Sequence, residues 1–282
     1  MKRITIIAVI LLFLSVNLFA TKRALVIGLG QQKYSGWKKI NGDNDVNKYI
    51  IPMLNTCGYR GNITSLVNRD ATKNGIVNAF NTLAKQCKPG DIVYIHFSGH
   101  GQRVVDGNEF KRNSWIPYDA CSKPCSDDNG NKHLMDYEIN RLLHKIVNKI
   151  GSRGKLLVAV DACFSASSTR GDEDVDEDLN EEEGATARFA EDDFIWKSKV
   201  FSQKELKSKW IEISACKEYE YAWEINQYNV GRLSYAIYNV ANKGRVEFSK
   251  IEKFVGEYQK PKSQTPNQNR NNCSYNIWDV LK

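Results

Sequence analysis

The sequence contains no internal repeat, which excludes a solenoid or a propeller. It has no apolar run long enough for a comfortable membrane span; the longest, ITIIAVILLFL at residues 4–14, falls well short of one. No nucleic-acid motif accompanies its basic residues, so they read as surface charge. The stretch GLGQQK places Gly28 and Gly30 after a strand-like run, but the third glycine of a dinucleotide fingerprint is missing and no helix follows at once. Cys121 and Cys125 in CSKPC have three residues between them, where a redox pair carries two, and no second pair at zinc-like spacing exists. They are expected to form a structural bridge or to stay as two free thiols. A redox or metal protein built on them is a rival reading that needs both to be reactive.

What is present begins at the N-terminus. Lys2 and Arg3 precede the apolar run, and NLFA ends on the small residue Ala20. This order reads as a secretory signal peptide over residues 1–20, with the mature chain starting at Thr21 and exported to the periplasm or beyond the cell. An oxidising compartment permits disulfides, and seven cysteines, an odd number, leave at least one thiol unpaired. The 282 residues suffice for one large domain with a proper core, taken here as 21–282. The net charge of +7 hides an acidic block: residues 171–193 hold twelve acids and one arginine. So charged a stretch, poor in large apolar residues, predicts a solvated, flexible insertion spanning about 166–200.

Short apolar runs alternate with helical periodicity. RALVIG (23–28), DIVYIHFS (91–98) and KLLVAVDA (155–162) predict strands, with weaker ones at 62–68 and 209–215. Helices are expected at 45–58, at 72–87 behind a Thr72 cap, at 135–151 ending on Gly151, and near 231–242 and 249–260. This alternation implies an α/β fold with a mostly parallel sheet covered on both faces. The polar tail from residue 261 is expected to wrap the surface.

Ligands in such sheets bind beyond the carboxyl ends of the strands. DIVYIHFSGHGQ exits into Ser98, Gly99, His100 and Gly101, and LLVAVDACFS exits into Asp161 and Cys163. A cysteine becomes a strong nucleophile as thiolate, and an imidazole can take its proton. The glycines flanking His100 permit a sharp turn, and the amides of Gly101 and Cys163 can meet a developing oxyanion. The other histidines look ordinary: His96 within a strand, His133 in a polar loop, His144 on a helix.

YIHFSGHGQ and VAVDACFS together resemble the two catalytic signatures of caspase-fold cysteine peptidases, of the bacterial metacaspase and paracaspase-like branch. NGDNDV (41–46), ISACKEYEYAWE (213–224) and GRLSYAI (231–237) are similar to further segments of that family, so the likeness covers essentially the whole mature chain. The resemblance implies a caspase-like αβα sandwich and a secreted cysteine endopeptidase with a Cys163–His100 dyad, its oxyanion held by the Gly101 and Cys163 amides. It implies a specificity pocket formed by Asp45, Ser98 and Asp161 that takes Arg or Lys. Carboxylates near a nucleophile independently invite a cation. Asp45 could instead cap the helix that follows it, and Asp161 could be structural. Caspase-fold enzymes are often cut after the nucleophile strand, and Arg170 and Arg188 lie there as possible self-cleavage positions. No cofactor is expected to be required. The acidic cluster that binds calcium in several metacaspases is matched only loosely, by Asp119 and Asp136, so calcium is possible without a clear site. The implied partners are peptides or proteins bearing basic residues, met by a monomer. A catalytically silent, peptide-binding relative of the same fold is the main alternative.

Overall fold

The computed structural model describes residues 20–163, 186–188, 193–197, 199, 206–217, 220–258 and 263–282. The expected signal peptide (Ala20 apart), most of the acidic block and Arg170 therefore lie outside the described residues. A six-stranded sheet forms the centre, in the order β12-β9-β7-β3-β1-β2. Its strands are β1 (Lys22–Gly28), β2 (Ile63–Val67), β3 (Ile92–Ser98), β7 (Lys155–Asp161), β9 (Ile211–Ser214) and β12 (Asn267–Asn269). All pair in parallel except β12, which runs antiparallel to β9. The polar tail is thus more than a surface wrap, because Asn267–Asn269 extends the sheet. Its polar sequence hides a strand whose backbone pairs while its side chains face water.

Each buried strand feeds two cores, since successive side chains leave opposite faces. Ala24 and Val26 of β1 join one cluster, and Leu25 and Ile27 join the other. The first face is covered by a helical stretch, α1, made of Gly42–Asn44, Asp45–Ile50 and Ile51–Thr56. Its middle widens to π-type bonding, with Ile51 N–H reaching Val46 O, just before Pro52, which has no N–H to give. Also on this face are α4 (Arg232–Asn242), α5 (Phe248–Gly256) and α6 (Trp278–Leu281). The second face carries α2 (Lys73–Gln86) and α3 (Asp136–Ile150). Thr72 caps α2 by accepting from the Gly75 amide at 3.0 Å, and Gly151 at φ 65° ends α3.

A second, small sheet, in the order β6-β5-β4-β8, stands beyond the carboxyl end of β3. It comprises β4 (Gly101–Asp106), β5 (Lys111–Trp115), β6 (Leu134–Met135) and β8 (Phe194–Trp196). Strand β8 lies within the stretch expected as a solvated insertion. Phe194 and Trp196 explain the difference, as both are buried against β4 and β6. Trp115 of β5 joins the two sheets by stacking on Phe97 at 4.4 Å, with Phe80 of α2 beside it. Phe80 is fully buried, so Phe80→Ala should lower unfolding stability by about 3–5 kcal/mol in urea titration, through lost transfer energy and a residual cavity.

Candidate active site

The parallel register sets the site. Ser98 pairs with Asp161, so His100 and Cys163 both lie two residues past one rung, on neighbouring strands. Strand order reverses between β1 and β3, which opens a crevice at this end of the sheet. Gly101 packs so tightly that a Cβ there would sit 1.9 Å from the Cys163 carbonyl oxygen; only glycine lets the two loops touch.

A segment of the chain itself fills the crevice. Thr186–Arg188 runs antiparallel to residues 222–224, the Arg188 amide donating to Ala222 O at 3.0 Å and the Glu224 amide to Thr186 O at 3.0 Å. Gly101 N–H donates to the Arg188 carbonyl oxygen at 3.1 Å. His100 and Cys163 flank that same residue: the Arg188 backbone is close enough to both to act on their protonation.

His100 is buried beneath Trp37, ring centroids 5.1 Å apart. Its Nε2 meets the Lys38 carbonyl oxygen at 2.7 Å, so Nε2 carries the hydrogen and Nδ1 carries the lone pair. That Nδ1 is buried without a hydrogen-bond partner. Burial holds the imidazole down at about 4, partly opposed by the Lys38 carbonyl. Burial pushes the Cys163 thiol up to about 12, partly opposed by the amides of Ala222 and Arg188. The Ala222 amide donates to Cys163 Sγ at 3.1 Å. With the crevice filled, thiol and imidazole are therefore both neutral at pH 7.

The Arg188 guanidinium lies fully buried among acids. Nη2 reaches Asp45 Oδ2 at 2.7 Å and Glu224 Oε1 at 3.0 Å. Nη1 donates to Ser98 Oγ at 2.5 Å and to the Asp161 carbonyl oxygen at 3.0 Å, with Asp161 Oδ1 at 3.6 Å. Burial raises the Asp45 and Glu224 carboxyls above their ordinary range, and the guanidinium opposes only part of that rise. Asp45 does not cap its helix; it accepts from Ser98 Oγ at 2.6 Å and from the Gly231 amide at 2.9 Å. Asp161 Oδ2 accepts from the Ser234 amide and hydroxyl at 2.8 and 2.7 Å. A Cβ on Gly231 would fall 2.3 Å from Asp161 Oδ2 and 2.5 Å from the Arg188 guanidinium carbon, so glycine makes room for the cation.

The structure thus brings together His100, Gly101, Cys163, Asp45, Ser98, Asp161 and Arg188. Sequence reasoning missed Glu224, Trp37 and Ser234. Glu224 was visible only as one acid in AWE, and no local pattern told which acid would turn inward. His133 is not in a polar loop environment: it is fully buried, its Nε2 on Gln102 Oε1 at 2.9 Å. Asp128 folds the loop around it by accepting from the amides of Cys121, Gly130 and Lys132. Cys121 and Cys125 are joined by a disulfide. Asp119 is engaged by the Lys73 amide and by Lys132, and Asp136 by Arg112. Among the described residues, no group of three or more potential ligands is positioned to hold a metal.

A parallel-centred αβα sandwich with a histidine and a cysteine converging on one peptide unit defines a caspase-fold protein. The family profile described as "Metacaspase, peptidase C14 domain" matches residues 22–170, and the chain belongs to that family. It is 26% identical to metacaspase-1 of Plasmodium falciparum over 73% of this chain and 31% of that protein. It is 30% identical to metacaspase-1A of Aspergillus oryzae, over 52% of this chain and 35% of that one. The chain spans only about a third of the length of these curated relatives. Among solved structures, a Geobacter sulfurreducens protein superposes with TM-score 0.63 at 20% identity, covering 93% of this chain and 97% of that one. Caspase-1 of Spodoptera frugiperda gives 0.55 at 11% identity, covering 89% and 88%. Both likenesses concern the fold.

A thiol near 12 is almost wholly protonated at pH 7, and alkylation needs thiolate. Iodoacetamide should therefore modify Cys163 of the intact chain far more slowly than an ordinary thiol, its rate climbing about tenfold per pH unit from 7 to 9. Arg188→Ala, which uncovers the sulfur, should speed the reaction at pH 7; mass mapping of the labelled cysteine checks both.

Proposed function

We propose that this chain is an exported cysteine endopeptidase that hydrolyses peptide bonds after basic residues, arginine above lysine, and that cuts itself after Arg188. The observation that carries this reading is the seating of Arg188: side chain among carboxylates, carbonyl on the Gly101 amide, backbone between His100 and Cys163. It has the pose of a substrate residue just before the bond to be cut.

Cys163 Sγ attacks the carbonyl carbon of that residue, and its proton passes to Nδ1 of His100. Since the resting pair is neutral, the transfer accompanies the attack. The oxyanion rests on the Gly101 N–H, with the Cys163 N–H as second donor. His100 then gives the proton to the leaving amine, and the C–N bond breaks to leave a thioester. Water, deprotonated by the same imidazole, attacks the thioester and releases a carboxylate and the free thiol. Apart from that water, these steps call only on groups of the chain and its substrate.

Arginine is favoured over lysine because the planar fork meets four acceptors at once, which one ammonium cannot do. Aspartate in that position would meet only repulsion. Self-cleavage after Arg188 needs no rearrangement of the pocket. Export rests on the N-terminal sequence pattern and is supported by the Cys121–Cys125 disulfide, which suits an oxidising compartment. Among the described residues no helix is long and apolar enough to cross a membrane. The short polar β12 covers the β9 edge, which supports action as a monomer.

Full-length protein should yield a fragment beginning at Phe189, read by N-terminal sequencing. Cys163→Ala should stay intact with an unchanged melting temperature. A folded wild-type chain that cuts no arginyl peptide, with or without calcium, sinks the reading. With peptides bearing Arg, Lys or Asp before the cut, kcat/KM should fall about tenfold from Arg to Lys and be undetectable for Asp. Glu224→Gln should lower kcat/KM for the arginyl peptide by about tenfold or more, as a charge-assisted bond is weakened.

A further inference from the structure

The ring of His100 is held from few directions. Its Nδ1 has no hydrogen-bond partner, and its Nε2 has the Lys38 carbonyl oxygen. The other constraint is the Trp37 ring, which lies against the imidazole at 32° with centroids 5.1 Å apart. Trp37 and Lys38 are consecutive, so one loop supplies both contacts. Between Gly28 and Gly42 that loop contains no helix or strand. Its position must come from what it leans on.

It leans on the turn closed by the Cys121–Cys125 disulfide. The Lys33 amide donates to the Tyr118 carbonyl oxygen at 2.8 Å, and Trp37 Nε1–H donates to that of Ala120 at 2.9 Å. Gly36, at φ 98°, packs so closely that a Cβ there would sit 2.4 Å from Ser122 Oγ. The turn is fixed from behind as well. The Tyr118 amide donates to the Ala71 carbonyl oxygen at 2.9 Å, and Gln102 Nε2 donates to that of Ser122 at 2.9 Å. Gln102 follows Gly101 on β4, so the turn is tied to the strand end that carries His100. The disulfide spans a sequence separation of only 4, and so short a loop removes less freedom from the unfolded chain than a long-range bridge would. Its effect is local: it fixes the turn that offers the Ala120 and Ser122 carbonyls.

We infer that Trp37 is a positioning residue for His100, and that the disulfide-closed turn acts on the imidazole through it. This rests on the proposed hydrolysis by Cys163 and His100, and it names what keeps the base in place. Nδ1 must face the sulfur to take its proton, and a ring free to rotate would present that nitrogen only part of the time. Face contact with the indole blocks the rotation. The Nε1–H tether to Ala120 keeps the indole from swinging away, and the disulfide keeps the tether point still. Losing any part of this chain of contacts should cost turnover rather than binding.

The test measures kcat and KM for an arginyl aminocoumarin peptide with full-length enzyme after complete self-cleavage, in buffer free of thiols so that the disulfide persists. Trp37→Ala should lower kcat about tenfold or more while KM stays within about twofold. Trp37→Phe keeps a ring over the imidazole and should recover most of that loss. Joint exchange of Cys121→Ser and Cys125→Ser should lower kcat about fivefold alone, yet by less than about twofold on top of Trp37→Ala, because the turn acts through the indole. Should Trp37→Ala fail to fold by melting temperature, Trp37→Leu takes its place with the same expectations. An unchanged kcat in folded Trp37→Ala or in the cysteine variant, a loss carried by KM, a Phe variant no better than Ala, or losses that multiply in the combined variant overturns the inference while leaving cleavage after arginine standing. If folded wild-type protein cuts no arginyl peptide, the underlying reading fails, and nitrogen-15 spectra of the uncut chain decide the inference alone. His100 should then be a single Nε2–H tautomer beside Trp37 and a mixture in Trp37→Ala; identical spectra overturn it.

Discussion

A buried guanidinium shared by three carboxylates governs this site. Asp45, Asp161 and Glu224 come from α1, β7 and β10 (Glu224–Ile225), so elements far apart in sequence meet only around the cation. Gathering that much negative charge out of water is costly, and losing the cation from a dry pocket costs several kcal/mol more. An emptied pocket must therefore take up water, protons or another cation. The backbone ladder beside it is too short to hold a strand unaided. The charge cluster gives the segment its affinity, and the ladder gives it register. One arrangement can thus select a substrate and occlude the thiol.

The fold supplies what that cluster requires. Parallel pairing of β3 with β7 delivers Ser98 and Asp161 at one rung and His100 and Cys163 beyond it. Ser98 accepts from Arg188 and donates to Asp45, so it transmits the position of α1 to the strand that carries the histidine. On the far side, Asn41 holds Glu224 through its amide at 2.6 Å and through its side chain. The carboxylates are aimed by backbone amides, two serine hydroxyls and the short Asn41 side chain rather than by long flexible partners. That rigidity favours a planar five-donor cation over a point charge.

Much of this was legible in the sequence where burial on both faces leaves a strong pattern. The central strands showed as apolar runs, and the helices that cover them as spaced apolar positions between a Thr72 cap and a Gly151 stop. Strand β12 was illegible because an edge strand pairs by backbone while its side chains, Asn and Gln here, stay polar. Strand β8 was masked by the acids around it. His100, Cys163, Ser98 and Asp161 could be proposed because each sits in a motif at a strand end, whereas Asp45, inside α1, was reached only through the family resemblance. Glu224 could not, since its role depends on a hairpin turning one acid of a mixed segment inward. His133 was misjudged for a related reason: a loop of polar residues can still fold around a buried ring when Asp128 satisfies its amides.

The placement of Arg188 also bears on when the protein can act. A segment anchored at Cys163 on one side and at β8 on the other competes with external peptides as an intramolecular ligand, at an effective concentration that free substrate seldom matches. Asp193, just before β8, is itself pinned by Arg103 at 2.9 Å, which keeps that anchor close to the cleft. While the chain is whole, occupancy of the pocket and silence of the thiol are one state: the covering that seats the arginine also keeps sulfur and imidazole neutral. The proposed cut after Arg188 would remove one of the two anchors and leave an anionic carboxylate beside three acids. Under the proposed self-cleavage, both changes would weaken the hold of the segment without altering the pocket, and the residue that blocks the site would be the one whose cleavage opens it.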